Sequence, residues 1–148
     1  MYIIELKKEE LLVRYRILNK NMLLEMIMMR EEVLNNFVER IDAVFLPVNN
    51  LEESLLWYQE IFGFDLRWKN EKMCGLSIAP NCGFHLVQIP NFQPIDQYTP
   101  FNYVVKNLEE ARRRLIEKDV SVSDLKPGEP KRFDFTDING NMISVIQL

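Results

Sequence analysis

The chain has 148 residues, of which 47% are hydrophobic and 27% charged, with a formal net charge of -4 and a pI near 5.1. That is the composition of one globular domain able to bury a core. Its acidity argues against nonspecific nucleic-acid binding, because the one basic run, Arg112-Arg113-Arg114, is interleaved with Glu109, Glu110 and Glu117 and reads as a solvated helix face.

Residues 1–40 hold seven basic and seven acidic side chains among apolar residues at helical spacing: Leu11, Leu12, Tyr15, Leu18, Met22, Met26, Met29, Val33 and Phe37. A break at Asn19-Lys20-Asn21 divides this segment into two predicted helices. Its Met-rich stripe is expected to pack on the body of its own domain or on a second subunit. No secretory leader is legible, and no apolar run approaches the ~20 residues of a membrane span. With only Cys74 and Cys82 and no disulfide framework, the expected setting is the cytoplasm, with reduced thiols and no membrane partner.

From Ile41 the pattern changes. Strand 41–48, helix 51–62, closed by Gly63, and strand 64–69 follow one another, then a hairpin of strands 73–79 and 84–89 around Pro80-Asn81-Cys82-Gly83. Pro90 to Pro100, with three prolines and no periodicity, reads as a linker. Strand 101–105, helix 108–118, a strand near 120–122 and a hairpin of strands 132–136 and 142–147 around Asp137-Ile138-Asn139-Gly140-Asn141 complete the chain.

The two halves share Asn-Leu-Glu-Glu, at Asn50–Glu53 and again at Asn107–Glu110, 57 residues apart. In each, the Asn is placed to cap a helix and the Glu three residues later to complete a capping box. Gly83 and Gly140 keep the same offset. The chain therefore reads as an α+β protein with two tandem β-α-β-β-β units, 41–90 and 101–148, forming curved mixed sheets around a cleft, preceded by a helical extension over 1–40.

The set Phe45-Leu46-Pro47-Val48-Asn49-Asn50-Leu51 with Ser54, Trp57-Tyr58, Phe62-Gly63-Phe64 and the later Asp137-Ile138-Asn139-Gly140-Asn141 resembles the vicinal oxygen chelate superfamily. That group holds glyoxalase I, bleomycin-resistance proteins, fosfomycin-resistance enzymes and extradiol dioxygenases. The resemblance covers 41–148. It implies four inward-facing positions that hold a divalent ion in the metal-dependent members. Carried over, these fall on Ala43, Pro100, Ser144 and either His85 or Val87. Ala, Pro and Ser do not supply the carboxylate or imidazole ligands such an ion needs, so no metal and no cofactor are expected.

Counted from the ligand positions that the resemblance implies, period-two alternation then assigns the cleft. Phe45 with Ala43 and Pro47, Asn102 with Pro100 and Val104, and Ser144 with Met142 and Ile146 should face it, as should His85 and Val87. Phe101, Tyr103, Phe133 and Phe135 should point under the helices. Leu66 and Trp68 suit the core, which leaves Arg67 facing cleft or water, and Asp134 is in the same position. The candidate ligand-binding residues are Phe45, Arg67, His85, Val87, Asn102, Asp134 and Ser144. An apolar, aromatic pocket with a few polar groups suits a small amphipathic or aromatic molecule, although Phe45, Phe92 and Tyr98 could instead fill a collapsed core. Three functions remain open: metal-independent sequestration of such a molecule between the two units or between two subunits, with a homodimer expected; a lyase, isomerase or hydrolase using His85 with Arg67 polarising an oxyanion; and a structural or regulatory dimer. Neither cysteine has a basic neighbour in sequence to activate it.

Overall fold

The computed structural model describes residues 2–33 and 37–148. The chain divides into two compact units, Met1–Arg40 and Ile41–Leu148. The first holds one uninterrupted helix, α1 (Tyr2–Val33). It runs straight through Asn19-Lys20-Asn21, where the sequence predicts a break. Asn is a weak helix former but costs only about 0.7 kcal/mol against Ala, less than the backbone bonds lost by interrupting a helix that contains neither Gly nor Pro. Phe37 lies beyond this helix rather than on its stripe.

In the second unit the order is β1 (Ala43–Val48), α2 (Leu51–Phe62), β2 (Asp65–Lys69), β3 (Met73–Ala79), β4 (Cys82–Gln88), β5 (Asn102–Val104), α3 (Leu108–Glu117), β6 (Arg132–Thr136) and β7 (Met142–Ile146). β1-β4-β3-β2 form a four-stranded sheet and β5-β7-β6 a three-stranded one. The β1–β4 and β5–β7 pairs are parallel and the rest antiparallel, as β-α-β connections and hairpins require. The strand expected near Val120 to Val122 is reduced to an isolated bridge, Val122 to Phe135. That segment runs beside β6, with Ser123 N–H donating to the Asp134 carbonyl at 2.8 Å. Pro127, Gly128 and Pro130 then prevent a regular ladder.

The Asn half of each cap forms as expected, whereas the Glu110 carboxylate pairs with Arg113 rather than closing a capping box. Asn50 and Asn107 lie in the β region, at φ -131° and -139°, and accept from Glu53 N–H at 3.0 Å and Glu110 N–H at 2.9 Å. Gly63 ends α2 at φ 72°, in the left-handed region, and its N–H reaches the Gln59 carbonyl. The repeat, however, is not uniform. Phe45 pairs with His85 as Asn102 pairs with Ser144, so the offset is 57 on the first strands and 59 on the last. Gly83 lies inside β4 rather than in a turn, and the positive-φ counterpart of Gly140 is Asn81.

The core faces of both sheets join in one cluster. Leu46, Val48, Tyr58 and Phe84 come from the first half, and Phe133, Phe135, Ile143 and Val145 from the second. Phe62 meets Tyr103 at 5.4 Å and Phe135 at 5.3 Å, and Phe84 meets Phe101 at 5.7 Å. A buried carboxylate locks the halves together. Asp137 accepts from Tyr58 Oη at 2.7 Å, from Asn139 N–H at 2.8 Å and from Asn141 N–H at 2.9 Å. Asn141, fully buried, spans back to the Pro47 carbonyl at 2.9 Å, and Asn139 accepts from Asn49 N–H. The Asp-x-Asn-Gly-Asn stretch, legible only as a hairpin turn, is thus also a clamp between the repeated units.

Candidate functional site

Two equivalent rows of side chains cross the two sheets on the faces turned away from the shared core. In the first sheet the cross-strand register places Phe45, His85, Gly75 and Trp68 side by side. Phe45 and Trp68 both meet the His85 ring edge-on, at 4.8 Å and 5.0 Å between centroids. Both are large aromatics left open, at 58% and 40% exposure. Phe45 therefore does not fill a core, and neither does Tyr98 at 64%.

Trp68 arrives on this face through a bulge. Leu66 pairs with Leu76 but Trp68 pairs with Gly75, one step out of register, so the two side chains that strict alternation assigns to the same face lie on opposite faces. Leu66 stands over the core-facing Leu76, while the Trp68 indole lies flat over Gly75, where any β-carbon would strike it. Arg67, at the bulge on an edge strand, is exposed. Val87 sits one row along, half-buried between Pro47 and Met73.

His85 is held between its two aromatic neighbours. Its Nδ1 is buried with no hydrogen-bond partner, and its Nε2 side approaches Gly83, where an added β-carbon would come within 3.3 Å.

In the second sheet the corresponding row is Asn102, Ser144 and Asp134. It floors a pocket of about 380 Å³ whose walls include Tyr98, Thr99, Lys126 and Arg132. Ser144 Oγ donates to Asp134 Oδ1 at 2.5 Å, Lys126 Nζ pairs with Oδ2, and Ser123 Oγ accepts from the Asp134 N–H at 3.0 Å. Burial by itself would raise the Asp134 pKa. The Lys126 and Ser144 hydrogen bonds, with the charges of Lys126 and Arg132, outweigh it and hold the carboxyl below its ordinary value. A carboxylate so stabilised is a weak proton acceptor, so Ser144 is not activated as a nucleophile.

Of the residues singled out by sequence, Phe45 and His85 come together on one face, and Asn102, Asp134 and Ser144 on the other. Trp68, Gly75 and Lys126 were not among them. A glycine inside a strand is itself a sign of close approach, and Gly75 was the available signal for Trp68. Lys126 comes from an irregular loop and carried none.

In the cross-strand register His85 stands opposite Phe45 as Ser144 stands opposite Asn102, so of the two β4 residues that the resemblance offers for the fourth ligand position, His85 is the equivalent of Ser144. The four positions then hold Ala43, His85, Pro100 and Ser144, one imidazole and no carboxylate, which does not fit a divalent ion. Among the described residues no three His, Cys, Asp or Glu side chains converge. Cys74 is buried, with its thiol pKa pushed up mainly by desolvation, and Cys82 is exposed.

No protein of curated function matches this chain in sequence. Solved structures do match in fold. TnmS3, an antibiotic binding protein from Streptomyces sp. CB03234, superposes with a TM-score of 0.66 at 20% identity, covering 76% of this chain and 98% of its own. A glyoxalase family protein from Bacillus anthracis gives 0.63 at 26% identity, covering 76% and 97%. One from Enterococcus faecalis gives 0.65 at 18%, covering 75% and 99%. The Glyoxalase/Bleomycin resistance protein/Dioxygenase superfamily model matches residues 40–145. With two strand-helix-hairpin units, their rows at equivalent positions and that match, the chain belongs to the Glyoxalase/Bleomycin resistance protein/Dioxygenase superfamily.

Proposed function

We propose that this protein binds a small amphipathic molecule with an aromatic body, without a metal ion, in a cleft completed between two copies of the chain in the cytoplasm. The observation that carries the reading is the open aromatic row, in which Phe45 and Trp68 stand exposed on either side of His85. Exposed aromatics gathered on one face ordinarily mark a contact surface. The polar counterpart, Asn102 with Lys126 and Ser144, suits the head of the same ligand. Within one chain the two rows face away from their common core, so the Phe45 row of one copy facing the Asn102 row of another would enclose the ligand. The fold likeness to an antibiotic binding protein supports sequestration rather than turnover. His85 is a poor candidate for general catalysis because its Nδ1 has no orienting partner.

The test is calorimetric titration with anilinonaphthalene sulfonate, with and without Ni²⁺, Zn²⁺ or Mn²⁺, on wild type, Phe45→Ala and His85→Ala. Metals should leave affinity and melting temperature unchanged. Phe45→Ala should weaken binding by about fivefold, and His85→Ala should weaken it less. Stabilisation by a metal at low micromolar concentration would overturn the metal-free reading, and unaltered binding by Phe45→Ala would overturn the site.

A further inference from the structure

The polar pocket of the second sheet holds an unbalanced charge. Lys126 and Arg132 form an antiparallel bridge at the neck of the loop 127–131. Lys126 N–H donates to the Arg132 carbonyl at 2.7 Å and Arg132 N–H to the Lys126 carbonyl at 3.4 Å. Residues directly opposed in an antiparallel pair send their side chains to the same face, with β-carbons about 5 Å apart. That face is the outer one, because Arg132 alternates with the buried Phe133 and shares the side of Asp134, and both cations line the pocket. Two like charges set opposite each other in this way destabilise the pairing unless anions compensate them.

The pocket contains one carboxylate, and it is already engaged. Asp134 pairs with Lys126 through Oδ2 and accepts from Ser144 through Oδ1. Arg132, which is exposed, makes no ion pair and no side-chain hydrogen bond among the described residues, and it acts on Asp134 only by its charge. The other lining residues, among them Tyr98, Asn102 and Met142, are uncharged. One positive charge is therefore left over, at Arg132. Its cross-strand neighbour on β7, Ile146, is buried and apolar, so one side of the guanidinium stem lies against a surface that offers it no anion.

We propose that the head of the ligand is a carboxylate, held by the Arg132 guanidinium beside Lys126, with the Asn102 amide as a further donor. This rests on the reading of the pocket as the seat of the ligand's head, and it gives the ligand a class: an aromatic carboxylic acid in its ionised form. Arg presents a planar fork of donors that matches a carboxylate in a bidentate pair. A single surplus charge is balanced by a monoanion, whereas a dianionic phosphate would leave a negative charge beside Asp134. An ammonium head would meet two cations and a carboxylate whose oxygens both have partners.

Calorimetric titration of the full-length protein with naphthoate and with naphthamide, which share their rings and differ in charge, tests the proposal. Wild type should bind naphthoate about tenfold tighter, the worth of one hydrogen bond between charged groups, and added salt should shrink that preference. Arg132→Gln should bind the two alike by losing affinity for naphthoate alone, with the melting temperature of wild type. Lys131→Gln removes the same charge from the neighbouring residue, outside the lining, and should keep the preference. Equal binding of the two compounds by wild type would overturn the carboxylate head and leave the aromatic site standing, whereas binding of neither would overturn both. A preference that survives Arg132→Gln, or is lost in Lys131→Gln, would rule out Arg132 as its source.

Discussion

A β-carbon added at Gly75 would lie 2.3 Å from Trp68 Nε1 and 2.5 Å from Cε2, so in Gly75→Ala the indole has to leave its place. Trp68 sits on an edge strand at 40% exposure and can swing into solvent without moving backbone. The stability lost is chiefly its edge-on contact with His85, about 1 kcal/mol. Ala in place of Gly within a strand offsets roughly 0.5–1 kcal/mol of that by restricting the unfolded chain. The two nearly cancel, and the unfolding free energy should change by less than about 1 kcal/mol. Binding is not protected in this way. Removing one aromatic wall from a stacked ring costs about 1–1.5 kcal/mol, or roughly five- to tenfold in Kd. Titration with anilinonaphthalene sulfonate reads the affinity. Intrinsic fluorescence reads Trp68 itself, because the other tryptophan, Trp57, stays packed between Tyr58 and Phe62. A red-shifted Trp68 with unchanged affinity would refute the role of the aromatic row, and an unshifted one would refute the geometry at Gly75.

Tyr58→Phe removes a buried bond to a carboxylate and should destabilise the fold by about 1.5–3 kcal/mol, lowering the melting temperature by several degrees in calorimetry while α2 persists; a change within error would show that Asp137 is held well enough without it. The depressed pKa of Asp134 makes a pH prediction. Its contribution is fully present above the ordinary carboxylate value of about 3.9 and is lost as pH falls from there through its lower folded value. Denaturation of wild type and Asp134→Asn should therefore differ near neutral pH and converge in acid, and a difference that persists in acid would show that charge is not its source.

Much of the scaffold was legible because it rests on local rules. Asn50 and Asn107 announce their helices through cap chemistry, and Gly63 announces an end, with no tertiary context required. Tyr103, Phe133 and Phe135 were assigned to the core by alternation once the resemblance had set its phase. The failures came where a tertiary feature overrode a local period. One bulged residue at Arg67 reversed the face of Trp68, and the two-residue difference between the hairpins is what left His85 and Val87 both open in the sequence. Neither can be read from spacing, since a bulge is chosen by what the strand packs against. Asp137 shows the same limit: its turn was visible, but Tyr58 and Asn141 as its partners were 79 and 4 residues away in directions only the fold supplies.

Each sheet also separates two kinds of constraint by face. The apolar side chains that hold the protein together point to the shared core, and those proposed to meet a ligand point outward, although Asp134 serves both sets through Lys126 and Ser144. Ala43, Pro100 and Ser144 illustrate the outcome: at positions that the resemblance assigns to metal ligands, this chain carries no imidazole or carboxylate, and the fold around them is intact. Recognition on such a frame can drift quickly from one small molecule to another, and related chains with nearly the same backbone need share no ligand at all.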